Sequence, residues 1–345
     1  MFLIRPIAQA DLPAMEALAA ASPIGMTSLP ADRAALRARI QASEQAFAHD
    51  AHSADRHYLF VLEDRDRAEV VGMSGLKSAA GFQTPFYSFR NEMLIHASAE
   101  MGVNNRIHAL SLCHDLSGAS LLHGFYLHPE HARTPLADLL SRARLLFIAT
   151  HRPHFADTVI SEMIGVTRAD GTSPFWDAVG RVFFGLDYAE AERICGVNGH
   201  KFIAELMPQH PLYVPLLSAE AQACLGQAGE AAQLAYRILK DEGFESENYI
   251  DIFDGGPTLH AKTAHIPSIA HSQLYPLNER PAACTTPPQS YLLAHGESED
   301  FRCVLGSVCH DGHPLLAEPD LFAALRCQVG DQVRAVPFNL PKGAI

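Results

Sequence analysis

The sequence contains no apolar run approaching the roughly 18 residues that a membrane-spanning helix needs. Its first residues lead directly into folded-looking sequence, without the layout of a signal peptide. Basic residues are scarce as well, because 26 lysines and arginines face 39 aspartates and glutamates, for a net charge of −13. A surface of that sign repels nucleic acid and anionic membranes and tolerates cationic substrates. We therefore expect a cytoplasmic protein with neither nucleic acid nor a membrane as a partner.

The seven cysteines are odd in number and widely spaced, and no Cys-x-x-Cys pair occurs. This pattern predicts reduced thiols and argues against a disulfide framework or a structural zinc site. The 19 histidines form no His-Glu-x-x-His motif or comparable ligand spacing. We therefore predict that the protein holds no metal.

A length of 345 residues, 48% of them hydrophobic, is sufficient for a sizeable core. It suggests two domains, or one domain built of two related halves. Residues 276–300 are rich in Pro, Ala, Thr and Ser, which is typical of a linker. We predict a main domain over 1–275, a linker over 276–300 and a small β-rich C-terminal appendage over 301–345.

Hydrophobic periodicity predicts alternating strands and helices along the main domain. A first strand at 2–5 precedes two helices, the second over 31–47, and a hairpin with strands at 57–64 and 70–76 follows. Further strands are predicted at 86–96, 108–114, 121–127, 158–166 and 248–253, and further helices at 135–150, from 173 and over 231–242.

The order of these elements resembles the GCN5-related N-acyltransferase fold, an α/β (α+β) fold whose splayed mixed β-sheet is flanked by helices. In that fold two neighbouring strands diverge and leave a wedge for the pantetheine arm of acyl-CoA. The helix after the first of them presents its N–H groups and dipole to the pyrophosphate. The strand over 121–127, the turn over 131–137 and the helix over 135–150 match that pattern. Their spacing alone is more typical of an ordinary α/β core than of a phosphate site.

Several segments carry a more specific resemblance. They are residues 27–30 (TSLP), 60–64 (FVLED), 173–176 (SPFW), 202–208 (FIAELMP) and above all 249–259 (YIDIFDGGPTL). Over about residues 1–275 the chain resembles the arginine N-succinyltransferase family. Residues 85–92 (PFYSFRNE) and 113–116 (CHDL) are most similar to the alpha subunits of arginine/ornithine succinyltransferase.

The resemblance implies transfer of a succinyl group from succinyl-CoA to the α-amine of arginine or ornithine, in arginine catabolism. Succinyl-CoA is then a co-substrate, with no cofactor bound permanently. It also implies an oligomer, either of this chain alone or with a related beta subunit.

Two positions depart from the family pattern. The family's proton-donating histidine lies in a Gly-Gln-Val-His run, and the matching run here ends in Gly229. The phosphate-binding turn also lacks its usual glycines, because Pro135 and Ala137 stand there. Both differences leave two alternatives open: a catalytically weak or non-catalytic subunit that pairs with a catalytic relative, and an acyltransferase with another donor or amine.

Acyl transfer to an amine needs a base for the ammonium, stabilisation of the oxyanion and a proton for the leaving thiolate. Glu162, on the strand after the helix over 135–150, is one candidate for the base. Glu205 and His210, on either side of Met207-Pro208, are the others. For each of the three, a solvated or capping residue is the simpler interpretation.

The resemblance also implies contacts for the two substrates. Phe125 matches the family position whose backbone touches acyl-CoA, and we expect acyl-CoA to be bound by Phe125, Tyr126, Leu127, Arg133 and Ala137.

Three charged residues are further candidates for substrate binding. Because a guanidinium binds a carboxylate in a bidentate manner, Arg90 is a candidate partner of the succinyl or the amino-acid carboxylate, with a surface arginine as the alternative. Asp251 and Asp254 are candidates to receive a guanidinium, although Asp254 before two glycines is also a natural turn former.

Overall fold

The computed structural model describes residues 1–48, 55–198, 203–282, 286–310 and 314–339. Within these ranges fifteen strands join into one mixed sheet. The strands are β1 (Phe2–Pro6), β2 (His57–Asp64), β3 (Glu69–Lys77), β4 (Ser88–Ser98), β5 (Val103–Cys113), β6 (Ser120–Leu127), β7 (Thr158–Glu162), β8 (Leu212–Tyr213), β9 (Glu245–Ile250), β10 (Pro257–Lys262), β11 (Gln273–Glu279), β12 (Gln289–His295), β13 (Arg302–His310), β14 (Leu315–Ala317) and β15 (Gln332–Pro337).

Helices cover both faces of this sheet. They are α1 (Leu12–Ala21), α2 (Arg33–Phe47), α3 (Leu136–Thr150), α4 (Pro174–Ala178), α5 (Gly180–Phe184), α6 (Tyr188–Asn198), α7 (Ile203–Leu206), α8 (Ala219–Cys224), α9 (Gln233–Asp241), α10 (Pro267–Ala270) and α11 (Pro319–Leu325). In the part of the chain that the structure describes, none of these helices is long and apolar enough to cross a membrane.

The sheet runs in the order β12-β15-β11-β14-β13-β1-β2-β3-β6-β7-β10-β9-β4-β5-β8. One core packs α3 and α9 against one face of its centre, around Phe60, Phe147 and Leu259. A second core packs α1 and α2 against the opposite face, around Val61 and Met73. The predicted mixed sheet flanked by helices is therefore confirmed.

The hairpin and the longer helices follow the sequence predictions. Strands β2 and β3 pair antiparallel, as the pattern over 57–76 predicts. Helix α2 begins after Asp32, whose Oδ1 accepts the N–H of Ala35 at 2.7 Å, a normal N-cap. Helix α9 ends before Gly243, whose φ of 76° suits a residue without a Cβ.

The prediction of a linker over 276–300 is wrong. Strand β11 pairs with β14 and β15, and β12 pairs with β13 and β15. Leu277, Tyr291 and Leu293 are buried in a core of the C-terminal region because they alternate along these strands. This region is also joined to the rest of the chain, since β13 pairs with β1 at Ile4 and Cys303.

The divergence of two parallel strands shapes the centre of the sheet. Strands β6 and β7 pair in parallel through Ser120 with Val159 and Leu121 with Ile160. Beyond that row the register pairs end, and Ser161 Oγ donates to the Leu122 carbonyl at 2.9 Å. The two strands, connected through α3, thus form the splayed wedge expected for an acyltransferase sheet.

Candidate functional site

A cavity of about 500 Å³ opens where β6 and β7 diverge. Its walls come from α2, β2, β3, β6, β7, α6, α9 and the turn after β9. It is therefore lined by residues from both faces of the sheet, which meet because the wedge removes the backbone pairing between them. A pocket with a few convergent charged groups at such a place is the natural candidate site.

A β-bulge in β6 forms one edge of the wedge. The register between β3 and β6 shifts between Met73, opposite Tyr126, and Gly75, opposite His123. Gly124 takes a φ of 60° there, which favours glycine. Arg144 of α3 holds the bulge, because its Nη1 donates to the Gly75 and His123 carbonyls at 3.3 Å each.

The apolar part of the cavity lies beside this bulge. Phe125 lines it, and the Arg144 guanidinium lies 5.9 Å from the Phe125 ring centroid. Ala231, Ala235 and Leu239, in or just before α9, also line the cavity. Aliphatic side chains together with an aromatic ring give an apolar lining suited to an alkyl-amide arm such as pantetheine.

Four acidic side chains form a second part of the cavity, which we term the carboxylate wall. They are Glu162 on β7, Glu192 on α6, and Asp251 and Asp254 in the turn after β9. Each faces the same space although the four come from three separate elements. Carboxylates that share one buried space repel each other, which destabilises the folded chain unless protons or a bound cation compensate their charges.

Local hydrogen bonds fix the two aspartates. Asp251 Oδ1 accepts the N–H groups of Phe253 at 2.6 Å and Asp254 at 3.0 Å. Asp254 Oδ1 accepts the Gly256 N–H at 2.9 Å, and Tyr188 donates its hydroxyl to Oδ2 at 3.2 Å. The turn-forming role expected of Asp254 is therefore present, and its carboxyl group also faces the cavity.

Burial is the main cause of the raised pKa values of the four carboxyl groups in the carboxylate wall. Burial and then the charge of Asp251 raise the pKa of Asp254 from 3.8 to about 7. Burial and then the charges of Asp251 and Asp254 raise the pKa of Glu162 and Glu192 well above 4.5. Burial also raises the pKa of Asp251, against hydrogen bonds from the backbone of Asp254 and Phe253. Perturbed carboxyl groups converging in a pocket are a mark of functional sites.

Glu192 gives a second, independent indication that the carboxylate wall binds a cationic ligand. Its side chain is buried, and Oε2 has no hydrogen-bond partner among the residues that the structure describes. A buried oxygen that lacks a donor costs about 1–3 kcal/mol, and more when it is charged. A cationic ligand with N–H donors would remove that cost.

Basic side chains form a second charged group in the lining of the cavity. Lys77 of β3, Arg39 of α2 and Arg144 line it. Arg39 Nη1 and Nη2 donate to the Thr27 and Gly196 carbonyls at 2.7 Å each. Burial lowers the pKa of Arg39 to about 10 and that of Arg144 to about 9. The cavity is therefore polarised, since it is lined by a group of acids and a group of cations, and the charges of Lys77 and Glu162 act on each other.

Two histidines lie in contact beside these basic residues. His57 Nε2 and His123 Nε2 are 2.8 Å apart, so one ring donates and the other accepts. Burial lowers the pKa of both well below 6.5, reinforced at His57 by Lys77 and at His123 by His57. Gly75 makes room for this pair, because a Cβ there would lie 2.2 Å from Cε1 of His123.

The structure brings four of the predicted site residues to the cavity: Phe125, Glu162, Asp251 and Asp254. It places the other two candidate bases elsewhere. Glu205 and His210 are exposed and do not line the cavity, because they lie in and after the short helix α7.

The other predicted contacts also lie outside the cavity lining. Tyr126 is buried under α1, where its hydroxyl donates to the Ala21 carbonyl at 3.0 Å, and Leu127 is buried in the α3 core. Alternation along β6 directs Tyr126 to the face opposite Phe125, whereas Leu127 shares the face of Phe125 but packs into the core beneath α3. Arg133 is exposed, and Ala137 is fully buried.

Arg90 is already paired. Its guanidinium contacts Glu92 at 2.8 Å and Asp115 at 2.7 Å on the β4–β5 hairpin. It does not line the cavity, so the expected pairing with a substrate carboxylate has no counterpart in this arrangement.

Gly229 lies against the segment that follows β7. Its N–H donates to the Ile164 carbonyl at 2.9 Å, and a Cβ would lie 2.1 Å from the Gly165 carbonyl oxygen. As the backbone stands, no side chain fits at this position.

Sequence reasoning missed Glu192, Lys77, Arg39 and the histidine pair. A signal was present for two of them. Tyr188, Ala191, Glu192 and Cys195 share one helical face and are all buried, which places an acid among core residues. Along β3, Met73, Gly75 and Lys77 alternate on one face, and a strand glycine often marks a close approach.

Comparisons with known proteins place these features in a family. The family model described as arginine N-succinyltransferase beta subunit matches residues 2–268, and that of its C-terminal domain matches residues 277–337. The resemblance expected over about 1–275 therefore extends through the C-terminal region. Among the described residues, no group of three or more His, Cys, Asp or Glu side chains is arranged to hold a metal.

Individual relatives cover almost the whole chain. Arginine N-succinyltransferase subunit alpha of Pseudomonas aeruginosa is 48% identical over 97% of this chain and 99% of its own length. Subunit beta of the same organism is 40% identical over 99% of both chains. Arginine N-succinyltransferase of Escherichia coli is 38% identical over 97% of both.

A solved structure shares the fold. Arginine/ornithine succinyltransferase subunit AI from Pseudomonas aeruginosa superimposes with a TM-score of 0.90 at 45% identity, covering 99% of both chains.

Proposed function

This chain belongs to the arginine N-succinyltransferase family, and we propose that it transfers succinyl from succinyl-CoA to the α-amine of arginine or ornithine. The observation that carries the proposal is the polarised cavity at the wedge between β6 and β7. One side offers buried carboxyl groups to a cationic amine, and the channel beside Phe125 offers an apolar path to an acyl-CoA.

The donor enters beside the bulge of β6. Gly124 and Phe125 have no register partner on β3, and β7 has already diverged at their level. Their backbone is therefore available to the pantetheine amides and the thioester carbonyl, as strand pairing would otherwise use it. Of the predicted acyl-CoA contacts, the proposal retains Phe125.

The amine substrate binds at the carboxylate wall. Glu192 Oε2 lacks a donor among the described residues, and a guanidinium carries five N–H donors in a planar fork. We place the cationic side chain of arginine against Glu192 and Asp251, and the α-amine near Glu162. We assign Asp254 a structural role in the site, since its carboxylate oxygens already accept hydrogen bonds from Gly256 and Tyr188.

Glu162 is the base in this proposal. It lies on β7 two residues past the last row paired with β6, where the thioester meets the amine. Its raised pKa makes the carboxylate a better proton acceptor near neutral pH. The amine nitrogen loses a proton to Glu162 and bonds to the thioester carbon; the C–S bond then breaks, and the CoA thiolate takes up a proton.

Thiol release by the purified chain tests the function directly. We expect CoA release from succinyl-CoA only when arginine or ornithine is present, with amines lacking a second cationic group much poorer. The panel includes acetyl-CoA as a donor control and is run with and without a related beta subunit. Absence of amine-dependent release under both conditions would contradict the proposed reaction.

A second candidate function is a catalytically weak subunit that pairs with a catalytic relative. Gly229, where the family pattern has a histidine, favours it. The same panel separates the two: a weak subunit releases thiol only when the beta subunit is added, and its Glu162→Gln variant then leaves the rate of the complex unchanged.

Assembly with another chain is part of the proposal. The β4–β5 hairpin exposes Met93, Ile95 and Met101 by 54%, 61% and 77%. Exposed apolar side chains clustered on one hairpin are typical of subunit contacts. We expect light scattering to report an oligomer of this chain, or of this chain with the related subunit. The Ile95→Lys variant should form a smaller assembly than the wild type.

The compartment follows from the thiols. Among the residues that the structure describes, Cys113, Cys195, Cys224, Cys303 and Cys327 are free thiols. Free thiols agree with a reducing compartment, and we place the reaction in the cytoplasm.

A further inference from the structure

Lys77 occupies the row of the sheet at which the wedge begins. It lies directly opposite His57 on β2 and opposite Leu121 on β6, and Leu121 in turn pairs with Ile160 of β7. That row is the last one in which β6 and β7 are paired. Lys77 lines the cavity, and its ammonium charge acts on Glu162 of β7 and on His57 and His123, which lie around the point where the two strands part.

The charge of Lys77 is the next feature of this row. Among the residues that the structure describes, the Lys77 side chain makes neither an ion pair nor a hydrogen bond, although other lysines and arginines of the chain do. Arg39 beside it donates to two backbone carbonyls, which do not neutralise its charge. Two cations thus share a partly buried space, and no carboxylate of the described residues forms an ion pair with either of them.

The groups that face Lys77 from each neighbouring element explain why its buried positive charge is unfavourable in the absence of a ligand. Burial lowers the Lys77 pKa, and Arg39 of α2 lowers it further, whereas Asp55 and Glu162 act in the opposite direction from a distance. His57 and His123 have pKa values well below neutrality and add no anion. Desolvated cations without an anion in contact are destabilising, and an incoming carboxylate reverses that.

We propose that Lys77, supported by Arg39, forms a carboxylate-binding subsite at the vertex of the wedge that selects substrates carrying a carboxylate. The inference rests on the proposed function and goes further, because it assigns a specificity determinant to that site. Two substrate carboxylates have the required chemistry: the terminal carboxylate of a dicarboxylic acyl group, and the α-carboxylate of the amino acid.

Position favours the acyl group as the source. The acyl end of the donor follows the channel past Phe125 toward the vertex, and Lys77 lies at that vertex. The four acids of the carboxylate wall would repel a second anion placed among them. A four-carbon dicarboxylic acyl group thus places its reacting carbon near Glu162 and its far carboxylate near Lys77.

Three substrate pairs test the subsite and identify its source. The kcat/KM of the wild type and of Lys77→Met is measured for succinyl-CoA with arginine, butyryl-CoA with arginine, and succinyl-CoA with agmatine. Butyryl-CoA lacks the donor carboxylate, and agmatine is arginine without its carboxylate. Lys262→Met, on β10 outside the cavity lining, is the matched control, and Lys77→Arg keeps the charge.

We expect Lys77→Met to lower kcat/KM for succinyl-CoA with arginine by about ten- to a hundredfold, the range for a lost charged hydrogen bond. A loss that disappears with butyryl-CoA assigns the subsite to the donor, and a loss that disappears with agmatine assigns it to the amino acid. Lys77→Arg should retain most of the selectivity. An equal loss with all three pairs, or no loss, would overturn the subsite.

Direct binding separates this inference from the proposed reaction. Calorimetry with succinyl-CoA, butyryl-CoA, arginine and agmatine gives the affinity ratios whether or not the chain turns over. If the wild type binds neither succinyl-CoA more tightly than butyryl-CoA nor arginine more tightly than agmatine, the subsite is overturned, even if the chain is an active enzyme. A wild type without turnover that still discriminates, and loses discrimination in Lys77→Met, contradicts the reaction and supports the subsite.

Discussion

Replacing Gly229 with histidine restores the residue of the family pattern and tests whether its absence limits this chain. The structure argues that the substitution does not restore a catalyst. The Gly229 N–H is bonded to the Ile164 carbonyl at 2.9 Å, and the new Cβ would lie 2.1 Å from the Gly165 carbonyl oxygen. Real Cβ atoms essentially never approach closer than 3.0 Å, and here the obstacle is backbone.

The cost follows from this overlap. Either the segment after β7 or the segment before α9 has to move by about 1 Å, and overpacking of this kind costs about 1–3 kcal/mol. At about 2–4 °C per kcal/mol, the midpoint of thermal unfolding falls by roughly 2–12 °C. Because the segment after β7 adjoins Glu162, we also expect turnover to fall.

Calorimetric unfolding and thiol release are measured on the same preparations. Gln227→His, two residues away and exposed, is the matched control, since it adds an imidazole to the same loop without the overlap. An unchanged unfolding midpoint for Gly229→His, together with a hundredfold gain in turnover, would refute the steric argument and support the loss of a catalytic histidine.

Three further predictions follow from the site. Because burial raises the pKa of Asp254 from 3.8 to about 7, the folded chain retains this proton to higher pH than the unfolded chain, so stability falls as pH rises from about 4 to about 7. Asp254→Asn should flatten that slope in denaturant titrations, and an unchanged slope would count against the assignment. Glu162→Gln should lower kcat by about 10²–10⁴-fold, whereas Glu205→Gln, outside the cavity, should leave kcat unchanged. Equal losses of kcat in the two variants, measured by steady-state kinetics, would argue against Glu162 as the base. Gly75→Ala places a methyl group 2.2 Å from the His123 ring and should destabilise the chain by about 1–3 kcal/mol in chemical unfolding, unless the histidine pair is free to move.

Local patterns predicted much of the central sheet. The β2–β3 hairpin and α3 follow from strand alternation and helical periodicity, which depend on neighbouring residues. The divergence of β6 and β7 was expected from the order of elements and the resemblance. Its physical basis, the bulge at Gly124 held by Arg144, depends on contacts between distant segments that no local pattern contains.

The C-terminal region shows how composition misleads. Prolines and small polar residues over 276–300 suggested a linker, but Pro276 lies within β11, opposite Gln332 of β15. The alternation of Tyr291 and Leu293 was the better predictor, since it buries both side chains in a core that forms only when β12, β13 and β15 come together.

The carboxylate wall was predicted in part. Glu162, Asp251 and Asp254 were each identified, yet their convergence with Glu192 depends on β7, α6 and the turn after β9 meeting in three dimensions. The same holds for Lys77, whose charge forms no ion pair with any residue that the structure describes. Residue type suggests chemistry, whereas the missing counter-charge that points to a ligand appears only in the folded chain.

Binding of arginine compared with citrulline tests the central claim most directly. The two amino acids have nearly the same shape, but citrulline carries a neutral ureido group in place of the guanidinium. The carboxylate wall predicts that the wild type binds arginine more tightly by at least about tenfold, as expected for charged hydrogen bonds, and that Glu192→Gln narrows the gap. Equal affinities for arginine and citrulline in isothermal titration calorimetry would contradict the account.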